Sequence, residues 1–205
     1  MEPTLIHFST KDHLILEADL YDGGANWLIL FHGKAYSKEA WNTGFAAAAV
    51  QAGWTVLAPN LRGHGNSQSS IGACEQDVLA TIEYAQSHGA KQIVALGASM
   101  GGAALLQALP HLPKPLAAII LLSPAGQPIR YDLLQGKVHE GSLLYSAQEI
   151  YADNCRQIAA HIPFPLSVRA WPGMLHAHRL MEDSIYGPEV ESQILTFLIH
   201  IARST

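Results

Sequence analysis

The stretch ALGASMGGAALLQALP, residues 95–110, ends an apolar run with a serine among small residues and then opens into a helical pattern. Its Gly97–Gly101 segment fits G-x-S-x-G. A serine on a tight strand-to-helix turn has a strained backbone, and side chains two residues to either side of it would collide. The following helix also directs N–H groups and a partial positive charge at the turn. The pattern predicts that Ser99 is a nucleophile; the alternative is a serine that only caps a helix.

The composition predicts one globular domain over residues 1–205. The chain is 49% hydrophobic and 14% charged, and its net charge of −5 comes with no basic run, which argues against a nucleic-acid partner. The longest apolar stretch, Leu116–Leu122 with its flanks, is too short to span a bilayer. The N-terminus lacks the pattern of a signal peptide, and Cys74 and Cys155 form no CxxC pair. We therefore expect a cytoplasmic protein without a disulfide framework or a metal site.

Short β-type runs alternate with helical patterns along the chain. This alternation favours an α/β fold, a three-layer α/β/α sandwich with a mostly parallel, twisted sheet of about eight strands, the first two joined tightly and antiparallel. The expected strands are LIHFST, LILEADLY, NWLILFHG, WTVLAPN, QIVALGAS, LAAIILLSP, SLLYSA and PLSVRAW. The expected helices run over residues 37–51, 78–89, 100–109 and 151–162 and from Pro188 onward. Ligands of such sheets bind beyond the carboxyl ends of the strands, so loops that follow strands are the candidate sites.

Three further stretches follow predicted strands in an order that is informative. FHGK (residues 31–34) follows the third strand, LRGHGNS (61–67) follows the fourth, and GMLH (173–176) follows the last. Together with the serine turn they resemble the HG-x turn, the RGxGxS loop and the GxxH loop of α/β-hydrolases. The similarity of layout extends from about residue 5 to the C-terminus. The resemblance implies the α/β-hydrolase fold and acyl-transfer chemistry on a Ser-His-acid triad.

The resemblance implies that His176 is the base, because it follows the last strand and a glycine and can reach Ser99 over the sheet edge. A neutral imidazole can take the serine proton and return it to a leaving group. Three other histidines are less favoured alternatives. His32 is expected to organise its turn, His64 is explained as well by a role in stabilising its loop, and His178 lies two residues from His176 and is expected to face elsewhere.

The oxyanion hole is expected to use two backbone N–H groups, those of Met100 and, by resemblance, Lys34. Apolar or aromatic residues often occupy the place of Lys34 in the family. Its side chain is therefore expected either to point to solvent or to meet an anionic group of the substrate.

The triad acid has three candidates in this sequence. In the family it often belongs to a G-x-x-D segment, and here Ser146 stands in the place of the glycine and Glu149 in that of the aspartate. Glu149 precedes His176 by 27 residues, which leaves room for a helix and a strand between them. Asp153, about one turn into the predicted helix, and Asp132, in the preceding connection, remain alternatives.

The connection Ala125–Gly141 is where the family often inserts a lid. Its 17 residues allow one short helix and no separate cap domain. Tyr131 and Leu134 are expected on one wall of the substrate pocket and Tyr36 on another. Trp41 fits that second wall and the core equally well. A shallow, open site suits small or short-acyl esters better than long-chain lipids.

The function expected from the resemblance is a carboxylesterase-like serine hydrolase of small-molecule esters, working through an acyl-serine intermediate without a metal or organic cofactor. Thioester hydrolysis, acyl transfer and peptide hydrolysis use the same triad and remain open. Asn60 stands where many relatives have Asp, and the acid motif is a loose match. These departures keep open a non-catalytic protein that binds a ligand or a partner.

Overall fold

The computed structural model describes residues 2–42, 44–70 and 73–204. Its strands are β1 (Thr4–Ser9), β2 (Ile15–Tyr21), β3 (Asn26–Phe31), β4 (Trp54–Pro59), β5 (Gln92–Ala98), β6 (Leu116–Leu122), β7 (Val138–Ser146) and β8 (Leu166–Trp171). Its α-helices are α1 (Phe45–Gln51), α2 (Glu75–Ser87), α3 (Met100–Ala108), α4 (Ala152–His161), α5 (His178–Met181) and α6 (Gly187–Arg203).

The eight strands form one sheet in the order β1-β2-β4-β3-β5-β6-β7-β8. β2 is antiparallel to β1 and to β4. The six strands β3 to β8 all run parallel to one another. The mostly parallel sheet predicted from the sequence is therefore confirmed. Phe31 of β3 lies beside Gly97 of β5, so the loops after these two strands leave the same edge of the sheet next to each other.

The core lies on both faces of the sheet, which explains why the central strands are continuous apolar runs. On β3, Ile29 faces the cluster formed with α2, α3 and α4, whereas Leu28 and Leu30 face the cluster formed with α1, α5 and α6. All three side chains are fully buried. The helices thus cover the sheet in two layers, as a three-layer sandwich requires.

Two stretches differ from the sequence prediction. The single helix expected over residues 37–51 is divided into a 3₁₀ turn at Lys38–Trp41 and helix α1, with Gly44 at a φ of +102° immediately before α1. A left-handed residue interrupts the helical hydrogen-bond ladder. The connection after β6 is shorter than expected because β7 begins at Val138, and it holds one 3₁₀ turn, Tyr131–Leu133. Among the described residues, no helix is long and apolar enough to cross a membrane.

Candidate active site

Ser99 lies at the sharp turn between β5 and α3, with φ +49° and ψ −111°. The chain around this turn is packed backbone against backbone. A Cβ added to Gly97 would lie 2.6 Å from Cα of Gly102, and one added to Gly101 would lie 2.5 Å from the carbonyl oxygen of Phe31. The glycines are therefore required by close approach, and the strained conformation of Ser99 is held by its surroundings.

Ser99, His176 and Glu149 form a chain of hydrogen bonds. The Ser99 Oγ lies 2.8 Å from Nε2 of His176, and Nδ1 of His176 lies 2.8 Å from Oε2 of Glu149. Because an ionised carboxylate only accepts hydrogen bonds, Nδ1 carries the imidazole proton and Nε2 is left to accept the Ser99 hydroxyl. The structure thus brings the three residues expected from the sequence into the geometry of a nucleophile, a base and an orienting acid.

The Glu149 carboxylate is buried and held from several sides. Its side chain is 0% exposed. Oε2 also accepts the backbone N–H of Tyr151 at 2.9 Å, and Oε1 faces the Cys155 thiol at 3.8 Å. Burial, followed by the charge of Glu149, raises the pKa of Cys155, so this cysteine remains a neutral thiol. The ring of Tyr151 lies 5.3 Å from the ring of His176 and supports the imidazole from the side.

The two alternative acids lie in other surroundings. Asp153 is exposed and forms an ion pair with Arg156 on the surface of α4. Asp132 is exposed as well and pairs with Arg130 at 2.7 Å. The structure therefore associates neither of them with the His176 imidazole.

The loop after β3 lies directly beside the serine. A Cβ on Gly33 would be 3.3 Å from Cβ of Ser99, so the chain at Gly33, just before Lys34, passes close to the nucleophile. Met100 is the first residue of α3, and its N–H has no carbonyl partner within the helix. The N–H groups of Met100 and Lys34 thus remain the candidates for the oxyanion hole expected from the sequence.

Three histidines hold the loop after β3. His32 donates from Nδ1 to the carbonyl oxygen of Gly33 at 2.8 Å, while its Nε2 accepts the N–H of Leu61. That carbonyl belongs to the same peptide unit as the Lys34 N–H, so His32 fixes the plane of the donor. His178 accepts the Gly33 N–H at Nε2, at 3.3 Å, and His64 donates from Nε2 to the Lys34 carbonyl oxygen at 2.7 Å.

Burial determines the charge of two of these histidines. It lowers the pKa of His32 to about 4 and that of His178 to about 3, because each ring lies almost wholly out of water. Both rings are therefore neutral at pH 7, as their roles as acceptors at Nε2 require.

These lowered pKa values predict a loss of stability in mild acid. Between pH 6.5 and about 4, the unfolded chain protonates these histidines while the folded protein does not. The free energy of unfolding is therefore expected to fall as the pH drops through this window, by about 1.4 kcal/mol per pH unit for each buried histidine. Urea denaturation at a series of pH values measures this slope.

The variant His178→Gln should reduce the slope by the contribution of one histidine. His7→Gln removes an exposed histidine of β1 and serves as its control, with the slope of the wild type. If the free energy of unfolding changed equally with pH in all three proteins, the assignment of His178 as a histidine that stays neutral in the folded protein would be wrong.

Asn60, the departure from the family pattern, lies at the centre of a buried polar network. The side-chain Nδ2 of Asn60 donates to Oε1 of Glu17 at 2.8 Å. The side-chain Oδ1 of Asn60 accepts the backbone N–H of Lys38 at 2.7 Å. The Lys38 ammonium in turn pairs with Asp19 at 2.7 Å. An amide is required at this position because it must donate to one neighbour and accept from another.

The variant Asn60→Asp is expected to lower the free energy of unfolding at pH 7 by about 2–3 kcal/mol, because it removes a buried donor and places a carboxylate against Glu17. Asn66→Asp is the matched control. It makes the same change against the other oxygen of Glu17, with Asn66 exposed, and should cost less than about 1 kcal/mol. Denaturant unfolding of both variants checks the difference; equal losses would show that burial does not decide the effect.

A cavity of about 670 Å³ opens at the serine. It is lined by Gly33, Lys34, Ala35, Tyr36, Ser99, Met174, Leu175, His176, Ala177, His178 and Arg179.

Of the side chains expected from the sequence to contact substrate, Tyr36 lines this cavity, and Tyr131 and Leu134 do not. Leu134 is fully buried in the core, and Tyr131 packs against that core and against the ring of His161. The expectation for Tyr131 and Leu134 is therefore corrected: the short connection after β6 packs down onto the helices. Trp41 is fully buried beneath the ring of His178 and belongs to the core.

One wall of the cavity, which was not predicted from the sequence, is formed by the loop after β8 and the start of α5. Met174 is 76% exposed, and Arg179 lies on the first turn of α5. Ala177, between the two, has a φ of +49°, which turns the chain sharply after His176. The only signal for this wall was its position next to the predicted base.

The model of the alpha/beta hydrolase fold family matches residues 26–166, and the chain belongs to this family. No curated protein matches it by sequence. Many solved structures are similar in fold, among them the following three. The Pyrococcus furiosus esterase Pf2001 has a TM-score of 0.78 at 15% identity, covering 96% of this chain and 90% of that one. Est1E from Butyrivibrio proteoclasticus, solved with ferulic acid bound, has a TM-score of 0.77 at 15% identity, covering 96% of this chain and 99% of that one. Mouse alpha/beta hydrolase domain-containing protein 10 has a TM-score of 0.72 at 16% identity, covering 95% of this chain and 98% of that one.

Proposed function

We propose that the protein is a serine hydrolase that cleaves small carboxylic esters through an acyl-serine intermediate. The observation that carries the proposal is the hydrogen-bond chain from Ser99 through His176 to the buried Glu149. Backbone donors lie beside the serine, and the family and the esterases among its structural neighbours support the same chemistry. Short acyl groups are favoured, because the cavity is open and has no lid among the described residues.

In the first half of the reaction, Ser99 attacks the ester carbonyl while His176 takes the hydroxyl proton at Nε2. The tetrahedral oxyanion lies against the N–H groups of Met100 and Lys34. Donors aimed at such a developing charge are typically worth about 3–4 kcal/mol each. The intermediate then collapses: the bond from the carbonyl carbon to the alkoxy oxygen breaks, His176 protonates the leaving alkoxide, and the acyl group remains on Ser99 Oγ.

In the second half, water attacks the acyl-serine and gives a proton to Nε2 of His176. Collapse of this second intermediate breaks the bond to Ser99 Oγ, which recovers the proton from His176, and the carboxylic acid leaves. One ester and one water thus become one acid and one alcohol. Glu149 stays ionised throughout and stabilises the imidazolium that forms in each half.

A fluorophosphonate probe tests this proposal. We expect stoichiometric labelling that peptide mass spectrometry assigns to Ser99, together with turnover of p-nitrophenyl acetate and butyrate that is faster than that of the octanoate. Labelling without turnover of any of the esters would favour a thioester, an amide or another acyl acceptor. A protein that neither labels nor hydrolyses would favour a non-catalytic ligand-binding role and overturn the proposal.

A further inference from the structure

Two cationic side chains line the cavity beside Ser99. Lys34 comes from the loop after β3 and Arg179 from the first turn of α5, and no Asp or Glu of the described residues lines the cavity with them. Both side chains are exposed to solvent. Within the described part of the chain, neither forms an ion pair.

Acidic side chains outnumber basic ones in this protein, 17 to 12. Four of its arginines each pair with at least one carboxylate: Arg62, Arg130, Arg156 and Arg169. What distinguishes Lys34 and Arg179 is their place: both line the cavity of Ser99, where no carboxylate of the described residues forms an ion pair with them. The field of such a cleft attracts an anionic ligand.

The Tyr36 hydroxyl interacts with one acidic and one cationic side chain, Glu182 and Arg179. That hydroxyl donates to Oε2 of Glu182 at 3.3 Å, and Arg179 lies close enough to interact with it as well. Glu182 itself lines a neighbouring cavity, together with Ala40 and Glu191, on the other side of His178. It therefore anchors the Tyr36 ring without entering the cavity of Ser99.

The remaining titratable groups at the cavity do not cancel this positive charge. Glu149 is committed to His176, and burial lowers the pKa of His178 to about 3, so His178 is neutral at pH 7. Met174 and Leu175, which precede His176, supply apolar lining. The cavity thus combines a cationic side, next to the oxyanion donors, with an apolar side next to the base.

We propose that the substrate is an ester that also carries a carboxylate, which Lys34 and Arg179 bind while Ser99 attacks the ester carbonyl. The proposal rests on the proposed function and narrows it to half-esters of short dicarboxylic acids. The guanidinium of Arg179 presents two parallel donors to a carboxylate, and the ammonium of Lys34 adds a point charge. The apolar chain between the two carbonyl groups, or the alcohol, packs on Met174 and Leu175.

The test compares two esters that differ in one charge: mono-4-nitrophenyl glutarate and its methyl ester. For the wild type, kcat/KM for the anionic ester should exceed that for the neutral one by about tenfold at low salt, as expected for two partly exposed cations. The preference should shrink as NaCl rises to 0.5 M, since salt screens exposed charges.

The preference should fall to about threefold in Lys34→Gln and in Arg179→Gln, vanish in the double variant, and survive in Arg179→Lys. Lys114→Gln, a cation lining a different cavity, should keep the ratio of the wild type. The ratio of the two substrates is the readout, so a general loss of activity through the Lys34 loop does not imitate the effect. Equal kcat/KM values for the two esters in the wild type overturn this inference alone. Hydrolysis of neither ester, with no labelling of Ser99, overturns the proposed function as well.

Discussion

Replacing Ser99 with alanine is expected to lower kcat for p-nitrophenyl acetate by about 10⁵-fold and to abolish labelling by a fluorophosphonate. The change removes the atom proposed to bond to the acyl group, and leaves the proposed oxyanion donors of Met100 and Lys34 in place. Those donors alone sustain a small residual rate. Alanine has no worse steric demand than serine at φ +49°, so the fold should be preserved.

The variants His176→Ala and Ser99→Ala/His176→Ala provide the internal control. Since Ser99 and His176 act as one unit, kcat of the double variant should lie within a few fold of kcat of each single variant. Thermal unfolding should show all three variants folded. Independent, multiplying effects of the two substitutions would contradict the shared hydrogen bond between Ser99 Oγ and His176 Nε2.

The second large effect is expected at Glu149. Glu149→Gln keeps the volume of the side chain but replaces the acceptor at Oε2 with an amide. The amide does not stabilise an imidazolium, and its NH₂ group can donate to Nδ1 and leave the proton on Nε2, the wrong tautomer for accepting from Ser99. We expect kcat to fall by about 10³–10⁴-fold at pH 7.

The surface carboxylates offer matched controls for this loss. Asp153→Asn and Asp132→Asn make the same chemical change at the two alternative acids, and each is expected to keep kcat within about twofold of the wild type, because each disturbs only an exposed ion pair. Steady-state kinetics of the three variants decides between the candidates. A large loss in Asp153→Asn with normal activity in Glu149→Gln would reassign the acid.

Much of the fold and of the candidate site could be predicted from local features of the chain. The glycines at positions 97 and 101 imply a close backbone approach that the structure shows as contacts below 3 Å for an added Cβ. The order of strands and helices predicted the parallel sheet, which is confirmed. The resemblance to the family's G-x-x-D segment pointed to Glu149, and the structure places its carboxylate 2.8 Å from the imidazole of His176. The strained serine turn and the alternation of strands and helices depend on residues that are close together in the sequence, so both can be predicted from local patterns.

The wall of the cavity was decided only by the tertiary structure. Tyr131 and Leu134 carry apolar and aromatic groups that suit a pocket or a core equally well, and the packing of the connection after β6 on the helices chose the core. The cations Lys34 and Arg179 lie 145 residues apart, and no local pattern shows that they border one cavity. The sequence by itself thus determined the turn that presents Ser99 and the alternation of strands and helices, because both depend on backbone sterics and hydrophobic periodicity. The side chains that surround a ligand were left to long-range packing, which brings together residues with no local relation.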